Sequence, residues 1–317
     1  MPYRASIIVV SYNNFDSTTG PCLNSLLEAP DNDQFEIVVI DNASSDGTPE
    51  MLLAMAEGRD NLRLLLNNEN RGWGGGTNDG AKIARGEILI LLNSDTVVPA
   101  GALARLCDLQ ESHPDWGLVG PVTNAAGTEQ KIFTEATTPA AIIKEGEEWC
   151  RHALDSAYAS ERLDFYCLAI RKNDFNTIGG LDEAYGLGYF EDTDFSLRAK
   201  AAGLSMMVVE EVFVYHRGSE SFSKLKKKFV KKLMRTNRRK LEKKYPGQVK
   251  LYHLRERNTH VMQEYVRRQH SLPAPAADLN YLFDNRMRLA RTIFPNNPLK
   301  KIVYSLQLRR LKKGFYR

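Results

Sequence analysis

Three carboxylates crowd into four positions at Glu191, Asp192 and Asp194, within the run LDEAYGLGYFEDTDFSLR (181–198). Like charges this close repel one another. A folded chain keeps them where a cation, a cationic side chain or a shared proton offsets the repulsion. The setting is not that of a solvated acidic face, because Tyr185, Tyr189, Phe190 and Phe195 flank the cluster and Gly186 and Gly188 precede it. Such a cluster suits a general base working beside a charged substrate. The competing reading is an acidic helix start, where carboxylates favour the positive end of the helix dipole.

Further residues of this kind follow strands. Asp41 ends an apolar run and can accept hydrogen bonds from a ribose or a base, or can, like Asp46, shape an Asx-rich turn. The segment NNENRGWGGGTNDG (67–80) combines glycines, which allow close backbone approach, with Arg71, which could meet a base or phosphates. A flexible loop is the alternative, and the segment lacks the G-x-G-x-x-G dinucleotide fingerprint. Trp73 could stack on a sugar or anchor the loop. Asn93-Ser94-Asp95 closes another apolar run, where Asp95 could hold a divalent cation bridging a diphosphate, or cap a helix ahead of Pro99. His216, at the end of VVEEVFVY (208–215), is a candidate ligand, although most histidines are ordinary.

The elements that must position these groups are legible as alternation. Short β-branched apolar runs predict buried strands at Ala5–Ser11, Phe35–Ile40, Leu62–Leu66 and Glu87–Leu92. Helices are predicted between them at Ser17–Glu28, Pro49–Glu57 and Asp79–Ala84, with a loop over Asn67–Asn78. Leu163–Ile170 and Val208–Tyr215 read as further strands, and 128–163 as irregular or partly helical. Strands alternating with helices make an α/β fold with a mostly parallel sheet, which binds ligands at the carboxyl ends of its strands. The 317 residues, 43% of them hydrophobic, suffice for one large domain or a domain with an extension.

The net charge of +4 conceals two unlike parts. Residues 1–223 carry 16 Lys and Arg against 34 Asp and Glu, a net of −18, and residues 224–317 carry 27 against 5, a net of +22. The basic part is expected to be helical. One face carries Leu225, Phe229 and Leu233; Leu251 to Val266 suggest another helix; 271–277 reads as a linker; and Leu279–Phe294 and Leu299–Leu311 read as basic amphipathic helices. Such a part can bind an anionic membrane face, dock on the acidic part or a neighbouring subunit, or simply be solvated. Nucleic acid is disfavoured, because no recognisable motif accompanies the charge and the acidic part would repel phosphates. No run of about 18 apolar residues exists to span a membrane. A strand beginning by Ala5 leaves no room for a signal peptide. Cys22, Cys107, Cys150 and Cys167 lack metal-site spacing and are expected as free thiols in a cytoplasmic protein.

Taken in order, the segments IIVVSYNN (7–14), VVIDNASSDGT (38–48), NENRGWGGGTNDGAKIARGEILILLNSD (68–95), GGLDEAYGLGYFEDTDFSLRAKAAG (179–203) and VYHRGSES (214–221) resemble the family 2 glycosyltransferases over about 1–245. The rhamnosyltransferase-like subgroup of bacterial polysaccharide synthesis, O-antigen and lipopolysaccharide included, is the most similar. The resemblance implies a GT-A catalytic domain over 1–223 and a basic helical extension over 224–317. It implies an inverting, metal-dependent transfer from a UDP- or dTDP-sugar to a glycan or lipid-linked acceptor at the inner face of the cell membrane. Ser11 and Asp41 then line the nucleoside pocket, with Arg71 near base or phosphate and Asn78, Asn93 and Ser94 also on the donor side. Asp95 matches the last acid of the family's D-x-D, whose first acid is here Asn93, and His216 matches a position that completes the shell of a Mn or Mg ion. Asp192 matches the catalytic base, with Glu191 and Asp194 in support. A sugar-nucleotide pyrophosphorylase is a rival class, but Tyr12-Asn13-Asn14-Phe15 stands where that class carries a G-x-G-x-R-type loop. A non-catalytic scaffold is the other rival. Sugar, base, acceptor and oligomeric state, self-association included, are not written in the motifs.

Overall fold

Apolar runs too short for a helix and rich in Val, Ile and Leu make the first strands, and the polar stretches between them fold back as helices. The computed structural model describes residues 3–218, 227–272 and 276–316. The expected boundary at 223/224, Leu225 of the first basic face, the end of the 214–221 motif and residues 273–275 of the linker lie outside the described residues. In chain order the elements are β1 (Ala5–Ser11), α1 (Thr19–Leu27), β2 (Phe35–Asp41), α2 (Thr48–Ala56), β3 (Leu62–Leu66), α3 (Gly72–Ile83), β4 (Ile88–Asn93), β5 (Thr96–Val97), α4 (Ala102–Ser112), β6 (Trp116–Val122), α5 (Pro139–His152), β7 (Ala157–Ala159), β8 (Cys167–Arg171), α6 (Lys172–Ile178), α7 (Glu191–Ala201), β9 (Ser205–Phe213) and β10 (Tyr215–His216). Four helices follow: α8 (Lys227–Lys244), α9 (Leu254–Ser271), α10 (Ala277–Thr292) and α11 (Pro298–Phe315).

The main sheet has the order β3-β2-β1-β4-β8-β6-β9-β7. β8 runs antiparallel to β4 and β6, and β7 antiparallel to β9; the other pairings are parallel. β1 and β2 are buried along their whole length, as strands covered on both faces must be. Register sets Ser11 beside Asp41 and Val10 beside Asn93, so the polar ends of β1, β2 and β4 come to one edge.

One expectation is corrected. The glycine-rich stretch is not a loop up to Asn78, because α3 begins at Gly72. Glycine costs about 1 kcal/mol relative to alanine inside a helix, so local propensity argued for a loop. Packing overrides it: a Cβ on Gly80 would stand 2.5 Å from Ile8 Cγ2, and one on Gly76 would stand 2.8 Å from Val10 Cγ1. The glycines let the helix lie directly on the sheet. α4 and β6 have no counterpart in the elements expected from sequence. β6 contains Gly117, Gly120 and Pro121, which break a strand pattern, yet a Cβ on Gly120 would reach Gln130 Nε2 at 2.7 Å.

The basic helices share the core of the sheet. Val261, Met262 and Tyr265 of α9 and Leu282, Phe283 and Met287 of α10 pack in one cluster with Trp149 and Phe213. Arg286 of α10 is fully buried and pairs with the equally buried Glu210 of β9 at 3.0 Å, while also donating to Glu129 O, Lys131 O and Tyr158 Oη. The four cysteines are free, three of them buried. No helix among the described residues is long and apolar enough to cross a membrane.

Candidate active site

The edge built by register is held by short-range bonds. Asp41 accepts from Ser44 N at 2.9 Å and Ser44 Oγ at 2.5 Å, and Asp46 accepts from Asn14 N and Thr48 N at 2.8 and 3.0 Å. Both acids therefore shape the turn after β2, and Asp41 does so from a buried position beside Ser11. Ser11 Oγ lies 2.9 Å from Thr19 Oγ1. Asn42, which the sequence did not single out, donates to Gly72 O at 2.8 Å and ties this turn to the start of α3.

Asp95 and His216 meet because β5 and β10 pair antiparallel, with His216 opposite Thr96. His216 Nε2 lies 3.2 Å from Asp95 Oδ1, and His216 Nδ1 lies 2.8 Å from Ala125 O. Burial works against a charged His216, but the Asp95 carboxylate outweighs it and raises the pKa. When Nδ1 donates to the carbonyl, the neutral ring turns a lone pair toward a carboxylate. That donor set fits a divalent cation, with the second nitrogen fixing the tautomer. No group of three or more His, Cys, Asp or Glu placed to hold a metal ion is present among the described residues, so Asp95 and His216 offer such an ion two side chains and leave the other positions to a ligand. Asn93 and Ser94 stand on the same edge, Ser94 buried.

The acidic triplet opens α7, as the helix-start reading expects, and its members differ in their surroundings. Tyr189 and Phe190, with φ of 70° and 78°, turn the chain through the left-handed region just before it. For bulky residues this backbone is costly and survives only where neighbours impose it. Asp192 Oδ1 accepts from Thr193 N at 2.6 Å and Thr193 Oγ1 at 3.1 Å, and Oδ2 has no hydrogen-bond partner among the described residues. Arg162 donates to Thr193 Oγ1 and to Asp164 Oδ1, both at 3.2 Å. Burial raises the Asp192 pKa, against the attraction of Arg162. Glu191 is buried, its Oε2 has no partner among the described residues, and burial together with the Asp192 charge pushes its pKa up to about 8. Asp194 is different. It accepts from Tyr185 Oη, Arg198 Nε, Lys244 Nζ and Tyr245 Oη at 2.6–3.2 Å, so it fastens α8 to the start of α7.

Asn237 of α8, unmarked in the sequence, supplies a second fastening. Its buried amide donates to Tyr185 O, Gly188 O and Tyr189 O at 2.8, 2.9 and 3.2 Å, gripping the strained turn. Arg71 is ion-paired with Asp79 and with Glu183, the latter at 2.7 Å. Asn78 spends its amide on the 181–183 segment, donating to Leu181 O and Glu183 Oε1 and accepting from Leu181 N. Trp73 packs edge-on against Phe165 at 6.3 Å, as an anchor does. A Cβ on Gly72 would stand 2.0 Å from Gly186 O, so only glycine lets α3 touch the turn before the acids.

An α/β sheet with polar strand ends, an Asp–His pair and a buried acidic helix start defines a GT-A architecture. It superposes on a mannosyltransferase from Pyrobaculum calidifontis, solved in complex with GDP-Man and Mn2+, with a TM-score of 0.53 at 18% identity, covering 99% of this chain and 77% of that one. Residues 6–150 match the family model described as Glycosyl transferase family 2. The chain is 27% identical over 212 residues to the N-acetylglucosaminyl-diphospho-decaprenol L-rhamnosyltransferase of Mycobacterium tuberculosis, covering 58% of this chain and 67% of that protein. It is 33% identical over 133 residues to a succinoglycan biosynthesis protein of Rhizobium meliloti, covering 41% of this chain and 37% of that one. Residues 6–150 of this chain are thus similar to a family 2 glycosyl transferase domain.

Proposed function

We propose that this chain transfers a hexosyl or deoxyhexosyl group, with inversion, from a UDP- or dTDP-sugar to a hydroxyl of a glycan or lipid-linked glycan in bacterial cell-surface polysaccharide synthesis. The observation that carries it is a half-buried carboxylate, Asp192, with one oxygen unpartnered among the described residues and a pKa raised by desolvation, at the start of a helix gripped by α8. Asp192 accepts the proton of the acceptor hydroxyl as that oxygen attacks the anomeric carbon, and a single displacement inverts the centre. Thr193 and Arg162 hold Asp192 in place. Ser11 and Asp41 face the nucleoside. Asp95 and His216 are the residues that would hold a Mn or Mg ion. When bound there, such an ion supplies charge neutralisation for the departing diphosphate. Arg71 reaches the donor only by exchanging one of its two carboxylate partners. The test is nucleotide diphosphate release from a panel of UDP-, dTDP- and GDP-sugars, with and without EDTA, backed by thermal shift. Metal-dependent release from one donor, lost in Asp192→Asn, is expected; neither release nor stabilisation by any donor overturns the assignment.

The acceptor reading extends to the membrane. Leu299, Ile302, Val303 and Leu306 form a ridge on α11, each between 49% and 74% exposed, with Lys300, Lys301, Arg310 and Lys313 around it. Tyr304, Leu308 and Phe315 pack the opposite face. An apolar ridge set among cations suits the anionic inner face of the cell membrane, where lipid-linked acceptors reside. Sedimentation with anionic vesicles should fall on Ile302→Asp with Val303→Asp and should be weak with neutral vesicles. Equal sedimentation of both proteins with both vesicles would remove the membrane from this account.

A further inference from the structure

A cavity of about 570 Å³ opens between α7 and residues 247–257, which lie after α8 and run into the first turn of α9. Arg162 and Thr193 line it from one side, and Gln248, Tyr252 and Arg257 from the other. Its size is that of a small-molecule site. The first wall is shared with the proposed base: Thr193 Oγ1 donates to Asp192 and accepts from Arg162. An occupant is therefore one residue away from Asp192.

The chemistry of the walls narrows the occupant. Arg257 Nε donates to Glu129 Oε1 at 2.8 Å, Lys200 pairs with Glu161, and Arg162 pairs with Asp164. Three of the four lining cations are matched by carboxylates and the fourth, Lys250, is exposed to solvent, so little of the cavity's charge is left for an anion. The cavity presents alternating donors and acceptors instead, which suits the hydroxyls of a neutral ring. One wall is aromatic. Tyr252 is 44% exposed, and the Arg257 guanidinium lies over its ring, 5.7 Å from the centroid, which steadies it. A pyranose has this same pairing of polar edges with an apolar C–H face.

We propose that this cavity is the acceptor subsite, that it takes the neutral pyranose ring of the acceptor's terminal sugar, and that Tyr252 is the platform on which that ring stacks. The proposal rests on the glycosyltransferase reading. It assigns acceptor choice to a segment outside residues 6–150, the part that matches the family model.

The full chain is examined by saturation-transfer NMR with the methyl glycosides of glucose, N-acetylglucosamine, galactose and rhamnose, and with glucose 1-phosphate. These probes carry no alkyl tail that the α11 ridge could bind. At least one methyl glycoside should show saturated ring protons. Its affinity should fall about tenfold in Tyr252→Ala, the scale of one lost ring contact, and persist in Tyr252→Phe. Tyr252 is half-exposed on a loop, and an unchanged melting curve would show that the variants fold. Absence of binding by every glycoside, unchanged binding in Tyr252→Ala, or a clear preference for the phosphate would overturn the proposal. Release of nucleotide diphosphate from the donor panel is followed in parallel. Intact release with no Tyr252-dependent glycoside binding sinks the cavity assignment alone, and glycoside binding with neither release nor stabilisation by any donor sinks the transferase reading instead.

Discussion

Glu36 and Glu191 are both buried glutamates, and the protein treats them in opposite ways. Glu36, on β2 far from the polar edge, accepts from Ser6 Oγ, Arg63 Nη1, Arg85 N and Arg85 Nε at 2.6–2.9 Å. Burial alone would raise its pKa, but these donors outweigh burial and hold it at about 2. Glu191 keeps an oxygen without a partner among the described residues, and burial beside Asp192 pushes its pKa up to about 8. The same division runs within the acidic triplet, where Asp194 has four partners and Asp192 keeps Oδ2 unpaired among the described residues. Where an acid holds the fold together, its partners are complete. At Asp192, the acid proposed to move a proton, and at Glu191 beside it, the set of partners is incomplete among the described residues, at a cost to stability.

The largest test of that contrast is Asp192→Asn. Transfer should fall by about 10²- to 10⁴-fold, the range of a lost general base, while donor-induced thermal stabilisation stays near that of the parent. Equal loss of both would make Asp192 a structural acid like Glu36. Next, Glu36→Ala should cost about 2–3 kcal/mol in urea unfolding, because it leaves the Ser6 hydroxyl and Arg85 N–H without their buried acceptor while Arg63 and Arg85 turn to solvent, and should leave turnover per folded molecule intact. A cost below about 1 kcal/mol would show that complete partnering there adds little.

Smaller still is Asn237→Ala. It strips three carbonyls of their donor at a cost of about 1–3 kcal/mol, and it should lower kcat more than it raises the donor KM, since the turn it grips precedes the base. A variant that is less stable but unaltered in kcat would confine Asn237 to holding α8 down. The gentlest effect is a pH slope. A raised folded pKa contributes stability that is present below the unfolded value near 4.5 and lost as pH rises through about 8. Relative to Glu191→Gln, the parent should therefore lose stability between pH 5 and 8 in thermal melts. For Glu36 the sign is opposite, with stability present above about 4.5 and lost as pH falls toward 2. Parallel slopes for the two glutamate variants would erase the distinction between them.

Much of the donor side was legible along the chain. β1 and β3 were bounded to the residue, because a short β-branched run ending at a polar residue is a local signal. The acidic triplet announced itself by charge density. α3 was misjudged over Gly72–Asn78, because its glycines answer to Val10 and Ile8 on a strand some sixty residues earlier. β6 was missed for the same reason. Arg162, Asp164 and Asn237 were not singled out, since an isolated Arg, Asp or Asn carries no pattern. Only their position against Asp192 and the 185–189 turn gives them a role.

What the sequence determined by itself is the set of groups and the local elements that carry them: strands ending in Ser11, Asp41 and Asn93, an Asp95 and a His216 at strand ends, and three acids opening a helix. The tertiary structure alone decided which groups act together. His216 meets Asp95 through the pairing of β10 with β5, and Asp194 is set apart from its neighbours by Tyr185 and Arg198 nearby and by Lys244 and Tyr245 arriving from α8 and its end. The physical reason is range. Propensity and periodicity act over a few residues, whereas the protonation and freedom of a buried carboxylate depend on what stands within a few ångströms, and the chain brings those partners from far away in sequence.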